Sequence, residues 1–296
     1  MEPIIQVCEL SKRYQNVLAV DRVSFEIREG ICFGLLGPNG AGKTTTIEMM
    51  EGILEPNGGQ ILFRGNPIDT RFKEKVGIQF QHTALPEYIT VRETLQLFSA
   101  FYPHPRAMKE VIEICSLREI INRDNRKLSG GQRQRLLLAL AIIPAPEVGF
   151  LDEPTTGLDP QARRNFWSLI KRVKAEGTTV ILTTHYMDEA QLLCDEVAIM
   201  DHGRILELDA PQRLLDRHFS GVLIRVPAPG ERFITDPTQL PSGAEIRDGA
   251  VELTTAQLDE TVRRLLTMEL NLDGLSIHKP NLEDLFLKLT GSSLRT

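Results

Sequence analysis

Apolar and polar side chains alternate through the first thirty residues, in the stretches "IIQVCEL" and "LAVDRVSFEIREG". Because alternation gives a strand one buried and one exposed face, we predict two antiparallel strands with a short link. A short apolar run at residues 31–36 predicts a further strand, and "TTTIEMMEGI" after it is typical of a helix. Glycine-punctuated stretches over residues 59–80 are typical of more short strands.

From Val91 the apolar residues change to helical spacing, as in "TVRETLQLFSAFY" and "AMKEVIEICSLREII". This pattern predicts a helical block over about residues 90–143. Two apolar strand patterns, "EVGFLDE" and "TTVILTTH", follow with a helical pattern between them. Because strand–helix–strand order places two strands side by side and parallel, the sequence predicts an α/β fold with a parallel sheet.

The composition changes again after about Leu215, where "VPAPGERFITDPTQLPSG" is rich in proline and glycine. We therefore predict a main domain over residues 1–215, which includes the helical block, and a small α+β accessory domain over residues 216–296. Domain boundaries fall in stretches of this kind because few contacts cross them.

Charge and cysteine usage narrow the class of protein. The chain of 296 residues has a net charge of −6, which does not suggest a general nucleic-acid-binding surface. Its four cysteines are isolated and lack metal-ligand spacing, so we expect small core residues in a reducing cytoplasm. The apolar run "LLLALAII" ends at Pro144, well short of the eighteen residues that would span a membrane.

The stretch "LLGPNGAGKTTTIEMM" interrupts two apolar segments with glycines, a proline and a lysine. Its spacing matches the P-loop pattern GxxxxGK[ST], in which backbone N–H groups and a helix N-terminus surround phosphates. The alternative is an ordinary loop. The pattern predicts that Lys43 binds the β- and γ-phosphates of a nucleotide and that Thr44 binds Mg²⁺. The predicted nucleotide-binding residues of this loop are Gly37, Pro38, Asn39, Gly40, Ala41, Gly42, Lys43, Thr44 and Thr45.

A pair of acids ends the apolar strand pattern "VGFLDEP". Beside a P-loop, Asp152 is placed to hold Mg²⁺ and Glu153 to polarise an attacking water. The alternative is a polar strand end with one solvated acid and one capping acid.

A second candidate anion site lies in "KLSGGQRQRLLLAL", where Ser129, Gly130, Gly131 and Gln132 open an apolar helix. Helix N-termini present free N–H groups to anions. Taken alone, such a stretch is far more often a helix cap or a turn than an anion site.

Together, "LSGGQ" between a P-loop and "LDEPTTGLDP" resembles the signature of the ABC ATPase family, and the resemblance covers roughly residues 3–215. It implies a P-loop NTPase core with an antiparallel β subdomain and an α-helical signature subdomain. The "DHG" turn at Asp201 needs no functional interpretation. The resemblance also implies roles for four further residues, and Gln79 is an alternative to Gln81 for one of these roles. These are Tyr14 stacking on adenine, Gln81 linking the metal site to the helical block, Asp159 in the D-loop and His185 contacting the γ-phosphate.

The resemblance implies ATP and Mg²⁺ as cofactors, and a homodimer in which the signature of one copy covers the nucleotide on the P-loop of the other. It further implies a separate integral membrane permease that holds the chain at the inner face of the cell membrane. The stretches "LTTHYMDEA" and "PNLEDLFLKLTG" resemble the drug-resistance and antibiotic-exporter branch (daunorubicin- and bacitracin-resistance-like), with the cargo left open.

Two alternatives remain at this point. One is a soluble ABC ATPase acting on ribosomes, DNA repair or chromosomes, although the coiled coils, zinc modules or second cassette of those classes are not found in the sequence. The other is a regulatory protein with an inactive nucleotide site, which the presence of Lys43, Asp152, Glu153 and His185 disfavours.

Overall fold

A computed structural model describes residues 2–81, 83–227, 244–247, 250–267 and 274–291. The chain divides into two compact units, of which the second is Gln212–Leu289. Part of the predicted accessory domain, including most of the proline- and glycine-rich stretch, lies outside the described residues. Within the described ranges, no helix combines the length and the apolar character needed to cross a bilayer.

A six-stranded sheet forms the centre of the first unit, in the spatial order β10-β9-β3-β8-β7-β6. All neighbours in it pair in parallel except β10, which runs antiparallel to β9. The α/β fold predicted from the sequence is therefore confirmed. Its strands are β3 (Cys32–Leu36), β6 (Val76–Gln79), β7 (Val148–Asp152), β8 (Thr179–Thr184), β9 (Glu196–Asp201) and β10 (Arg204–Asp209).

Strands β3, β7 and β8 are buried at every position. A central parallel strand has both faces covered, which is why these segments are almost continuously apolar rather than alternating. The adjoining core includes Phe33, Phe150 and Ile181.

An antiparallel sheet of four strands packs into the same core, in the order β2-β1-β4-β5. Long strands β1 and β2 pair over most of their length, as their alternating pattern predicts, with several register shifts. The members are β1 (Pro3–Tyr14), β2 (Val17–Arg28), β4 (Gly58–Phe63) and β5 (Asn66–Pro67).

Helices α2, α3, α5 and α6 of the first unit each begin at a side-chain cap. Thr90 and Ser129 each form a capping box with the residue three positions later, and Asp159 caps the helix that starts with Pro160. A one-turn helix capped by Asp69 interrupts the stretch that the sequence pattern predicts to be strands only. The pattern does not reveal this helix because a single turn has no detectable periodicity. The helices are α1 (Lys43–Met50), α2 (Thr70–Lys73), α3 (Val91–Ser99), α4 (Met108–Ile114), α5 (Gly130–Ile142), α6 (Pro160–Ala175) and α7 (Met187–Leu193).

The second unit contains its own four-stranded sheet, in the order β12-β13-β11-β14, and its own apolar cluster around Ile224 and Leu253. Helix α8 (Pro211–His218) leads into it from the first unit. The other elements are β11 (Val222–Pro227), β12 (Glu245–Arg247), β13 (Ala250–Thr255), α9 (Leu258–Thr267), β14 (Ser276–His278) and α10 (Leu282–Thr290).

One buried acid stands out in the first unit. Glu51, at the end of α1, is only 2% exposed, and neither carboxyl oxygen accepts a hydrogen bond within the described part of the chain. Burial, reinforced by the neighbouring carboxylates of Asp152 and Glu48, raises the pKa of Glu51 to about 8.

Because the folded chain holds this proton more tightly than the unfolded chain, the stabilising contribution of protonated Glu51 is full below about pH 4.5 and is lost as the pH rises towards 8. Replacing Glu51 with Gln removes the titration. From pH 5 to pH 8, we expect the free energy of unfolding of Glu51→Gln to rise by about 3 kcal/mol relative to that of the wild type. Urea unfolding at both pH values measures this difference, and a constant gap contradicts it.

Candidate functional site

The parallel register brings three chain segments to one edge of the central sheet. Leu36, which ends β3, lies opposite Thr184, which ends β8, and Asp152, which ends β7, lies opposite Thr183. The loops that leave these strands carry Lys43, Glu153 and His185, so residues far apart in sequence meet at this edge.

Two glycines allow the loop between β3 and α1 to pass close to its neighbours. A Cβ atom on Gly37 would lie 2.1 Å from the carbonyl oxygen of Met200, and one on Gly42 would lie 2.4 Å from that of Ala19. Gly42 also has a φ of +101°, which side chains other than that of glycine rarely adopt. The loop therefore keeps its curved backbone only with glycine at these positions.

Lys43, the first residue of α1, is buried against its own loop. Its Nζ donates hydrogen bonds to the carbonyl oxygens of Gly37, at 2.8 Å, and Pro38, at 3.1 Å, and lies 3.8 Å from Oε1 of Glu153. Burial lowers the pKa of Lys43, while the carboxylates of Glu153 and Asp152 act in the opposite direction. The ammonium group is thus held at the loop by uncharged carbonyl acceptors, which a negatively charged ligand can replace.

Asp152 is buried at the end of β7 and accepts a hydrogen bond from Oγ1 of Thr183 at 2.5 Å. Burial raises its pKa, whereas hydrogen bonds from Thr183 and Thr44 and the charge of Lys43 favour the ionised form. Sequence analysis missed Thr183, because a threonine inside an apolar strand gives no chemical signal.

Glu153 has a φ of +44°, in the left-handed region that non-glycine residues rarely occupy. The surroundings hold it there: its backbone N–H donates to Oγ1 of Thr183, and its Oε2 accepts from Nε2 of Gln81 and from Oγ1 of Thr156, both at 3.1 Å. Nδ1 of His185 lies 3.3 Å from the same Oε2. Local strain of this kind clusters at functional sites.

Of the two competing glutamines, Gln81 lies in this site. Gln79 points elsewhere: it is buried and donates to Oε1 of Gln134 on α5 at 2.5 Å. Its position as the last residue of β6 turns its side chain towards the helical block.

Lys43, Gln81 and Glu153 line an open cleft of about 620 Å³. Tyr14, 43% exposed at the end of β1, lines the cleft together with Lys43 and Gln81. The cleft also includes His202 and Gly203 of the turn to which sequence analysis assigns no role. The full lining is Tyr14, Val17, Leu18, Ala19, Asn39, Gly40, Gly42, Lys43, Thr44, Thr45, Gln81, Glu153, His202 and Gly203.

Ser129 and its neighbours do not contribute to this cleft. Ser129 caps α5, where its Oγ accepts from the backbone N–H of Gln132. Ser129, Gly131 and Gln132 line a different cleft of about 560 Å³ between α5 and α6. Asp159 lies at the start of α6 and accepts hydrogen bonds from its first-turn N–H groups. Within one copy, Lys43 and Ser129 therefore lie in two separate clefts.

The cleft at Lys43 fits a nucleoside triphosphate with its magnesium ion. Gly37 and Gly42 allow the loop its curved backbone, and a loop of this kind turns successive backbone N–H groups towards an anion. The Thr44 hydroxyl favours the ionised form of Asp152, and the two side chains supply oxygen donors of the kind that Mg²⁺ prefers.

Comparison with known proteins agrees with this geometry. A family model described as ABC transporter matches residues 20–156. The chain is 38% identical to the Nod factor export ATP-binding protein I of Ralstonia nicotianae, over 99% of this chain and 95% of that protein. The protein of the same name from Sinorhizobium fredii is 36% identical, over 98% of this chain and 87% of the relative.

Solved structures give the same result. CbiO1 from Clostridium perfringens, described as part of the ABC transporter complex CbiONQ, is 29% identical, with a TM-score of 0.66 over 73% of this chain and 92% of that one. An ATP-binding cassette of an ABC transporter in its ADP conformation, 22% identical, shares the fold with a TM-score of 0.65, over 72% of this chain and 93% of that one. The drug-resistance branch stays a prediction, whereas the predicted family is confirmed: this chain belongs to the ATP-binding proteins of the ABC transporter family.

Proposed function

We propose that this chain hydrolyses MgATP in the cleft at Lys43 and Glu153 and thereby drives export through a separate membrane subunit. The observation that carries the proposal is the convergence of Lys43, Asp152, Glu153, Gln81 and His185 at one sheet edge. Each of these side chains has a distinct part in phosphoryl transfer to water.

Binding begins at the loop. The β- and γ-phosphates displace the carbonyls of Gly37 and Pro38 from Nζ of Lys43, and backbone N–H groups of the loop after Pro38 hold the phosphate oxygens. Tyr14 supplies an aromatic face for the adenine. Thr44, Asp152 and Gln81 would hold Mg²⁺ in this cleft, where the ion would neutralise charge that develops on the phosphates.

Glu153 orients the attacking water and accepts its proton as the water oxygen bonds to the γ-phosphorus, while the bond from that phosphorus to the bridging oxygen breaks and ADP leaves. Its carboxylate is held by Gln81 and Thr156, so it is positioned before the nucleotide arrives. His185, 3.3 Å from that carboxylate, contacts the γ-phosphate. Neither role requires a change in the strand ends that carry the two residues.

Two copies of the chain complete each site. Ser129, Gly130, Gly131 and Gln132 form a helix N-terminus suited to phosphate, yet they line another cleft than Lys43. A head-to-tail homodimer with two-fold symmetry places the signature of one copy, together with its Asp159, over the nucleotide of the other. Both sites in such a dimer are complete.

ATP hydrolysis by this chain drives an integral membrane permease, which holds the chain at the inner face of the membrane. A cleft of about 330 Å³ beside Gln79 is lined mainly by apolar side chains, including Phe80, Phe98 and Leu137, and is the surface we assign to this partner. The relatives named as export ATP-binding proteins support export and disfavour a soluble ATPase of ribosomes or DNA. Within export, we propose a drug, an antibiotic, a lipid or a similar molecule as cargo.

The transporter assignment is tested in the genome and then in membranes. We expect a neighbouring reading frame to encode a multi-span membrane protein that co-purifies with this chain and changes its ATPase rate. A chain that hydrolyses ATP but binds ribosomes or DNA instead would overturn export while leaving the ATPase intact.

For Glu153→Gln, we expect ATP binding to persist and turnover to fall at least about 100-fold, because the amide cannot accept the proton of the attacking water. The variant should accumulate as an ATP-bound dimer. Phosphate release and size-exclusion chromatography with MgATP measure the two effects. Wild-type turnover would exclude Glu153 as the principal water-polarising residue.

Lys43→Ala removes the charge that faces the β- and γ-phosphates. We expect the dissociation constant for MgATP to rise by about 10- to 100-fold, the loss of a charged hydrogen bond. Isothermal titration measures this change. Lys109→Ala serves as the matched control, since Lys109 is an exposed lysine of α4 that does not line the cleft; near-normal affinity in Lys43→Ala would contradict the P-loop assignment.

Mixing subunits that carry Ser129→Arg with subunits that carry Lys43→Ala tests the shared site. Each heterodimer contains one site with both lesions and one with neither, so we expect it to recover ATPase activity that neither homodimer shows. Differently tagged copies, purified together, are assayed for phosphate release.

If the heterodimer folds and binds ATP but stays inactive, crosslinking distinguishes the causes. Ser129→Cys is paired with a cysteine in place of Asn39 in the P-loop. A bond between chains supports the shared site with strict coupling, whereas a bond only within one chain defeats the dimer arrangement.

A further inference from the structure

Glu189 is a completely buried acid outside the nucleotide cleft. It lies in α7, one helical turn after His185, and its side chain is 0% exposed. A buried carboxyl group destabilises the fold unless polar partners hold it. Its partners come from three different segments of the first unit.

The strongest partner is Trp167 on α6. Its indole Nε1 donates a hydrogen bond to Oε1 of Glu189 at 2.8 Å. Trp167 lies about two turns after Asp159, the cap of the same helix. The contact between the two helices is reinforced by Arg163, whose guanidinium carbon lies 3.8 Å from the ring centroid of Tyr186.

Two threonines also reach the carboxyl group. Burial raises the pKa of Glu189, and the hydroxyls of Thr184 and Thr155, together with the Trp167 indole, act against that shift. Thr184 immediately precedes His185, and Thr155 follows Glu153 by two residues. Within the described chain, Oε2 of Glu189 and Oγ1 of Thr155 are both buried without a hydrogen bond of good geometry.

The carboxyl group of Glu189 is thus bonded to the helix that Asp159 opens and lies near the segment after Glu153 and the segment that carries His185. A displacement of a few tenths of an ångström in any of them changes the others through this group, because packed interiors transmit small shifts. The donor and acceptor atoms at Thr155 and Glu189 are available to close a further hydrogen bond.

We propose that Glu189 is a positioning residue that holds His185 and helix α6 in place relative to Glu153, and that nucleotide binding in the cleft alters its hydrogen bond to Trp167. The inference rests on the proposed ATPase function of that cleft. It adds a residue that contacts neither nucleotide nor metal and acts only through its neighbours.

Trp167 supplies the readout, since it is the only tryptophan of the chain. Its emission is recorded for the full-length protein, free and with saturating MgATP. We expect MgATP to change the intensity or the wavelength of this emission. Lys43→Ala is the control at the same nucleotide concentration, because it should bind too weakly to give the change.

The kcat and the KM for ATP then distinguish a positioning role of Glu189 from a role in ATP binding. We expect Trp167→Phe, which removes only the indole donor, and Glu189→Leu to lower kcat at least about tenfold with the KM for ATP within about threefold. Glu189→Gln keeps an oxygen acceptor and should retain at least about a third of the wild-type kcat. Leu192→Gln, at a 52% exposed position of the same helix, should leave both constants unchanged.

If Glu189→Leu fails to fold, Trp167→Phe and the Trp167 emission still decide the matter. Wild-type kcat in Trp167→Phe, or emission that MgATP leaves unchanged in the wild type, would overturn the inference while the ATPase stands. A wild-type chain that binds but does not hydrolyse ATP would instead overturn the proposed function, and this inference with it.

Discussion

The parallel alignment of β3, β7 and β8 is the constraint on which the site depends. Parallel strands end at the same edge of a sheet, so the loops after Leu36, Asp152 and Thr184 must meet there. The buried apolar faces fix this register, since a shift by one residue would exchange the two faces of a strand. The chemistry is carried by loops whose starting points the core determines.

Burial makes that edge electrostatically demanding. Lys43, Asp152 and Glu153 are each at most 8% exposed, and Glu51 lies close enough to Asp152 for their charges to interact. Removing charges from water is costly, so each is stabilised by a hydrogen bond, by an opposite charge or by keeping its proton. Such a site is poised for a highly charged ligand, which replaces internal contacts rather than adding to them.

The separation of the two polar clefts gives the fold its second requirement. A single copy holds a loop for phosphates in one place and the Ser129 helix N-terminus in another. Because neither surface alone encloses a nucleotide, we propose that association of two copies supplies the missing half. Helix α6, which Asp159 opens and which Glu189 contacts through Trp167, lines the second cleft.

The sequence by itself determined the α/β fold, the family and most of the candidate site. The spacing from Gly37 to Thr44, the acid pair at Asp152 and the helix cap at Ser129 are local patterns, and local patterns dictate local backbone geometry. Only the tertiary structure decided that Gln81 rather than Gln79 lies beside Glu153, that His202 lines the cleft, that Thr183 bonds to Asp152 and that Glu189 bonds to Trp167. Those outcomes depend on which face each strand presents and on contacts between distant segments, and no spacing along the chain encodes them.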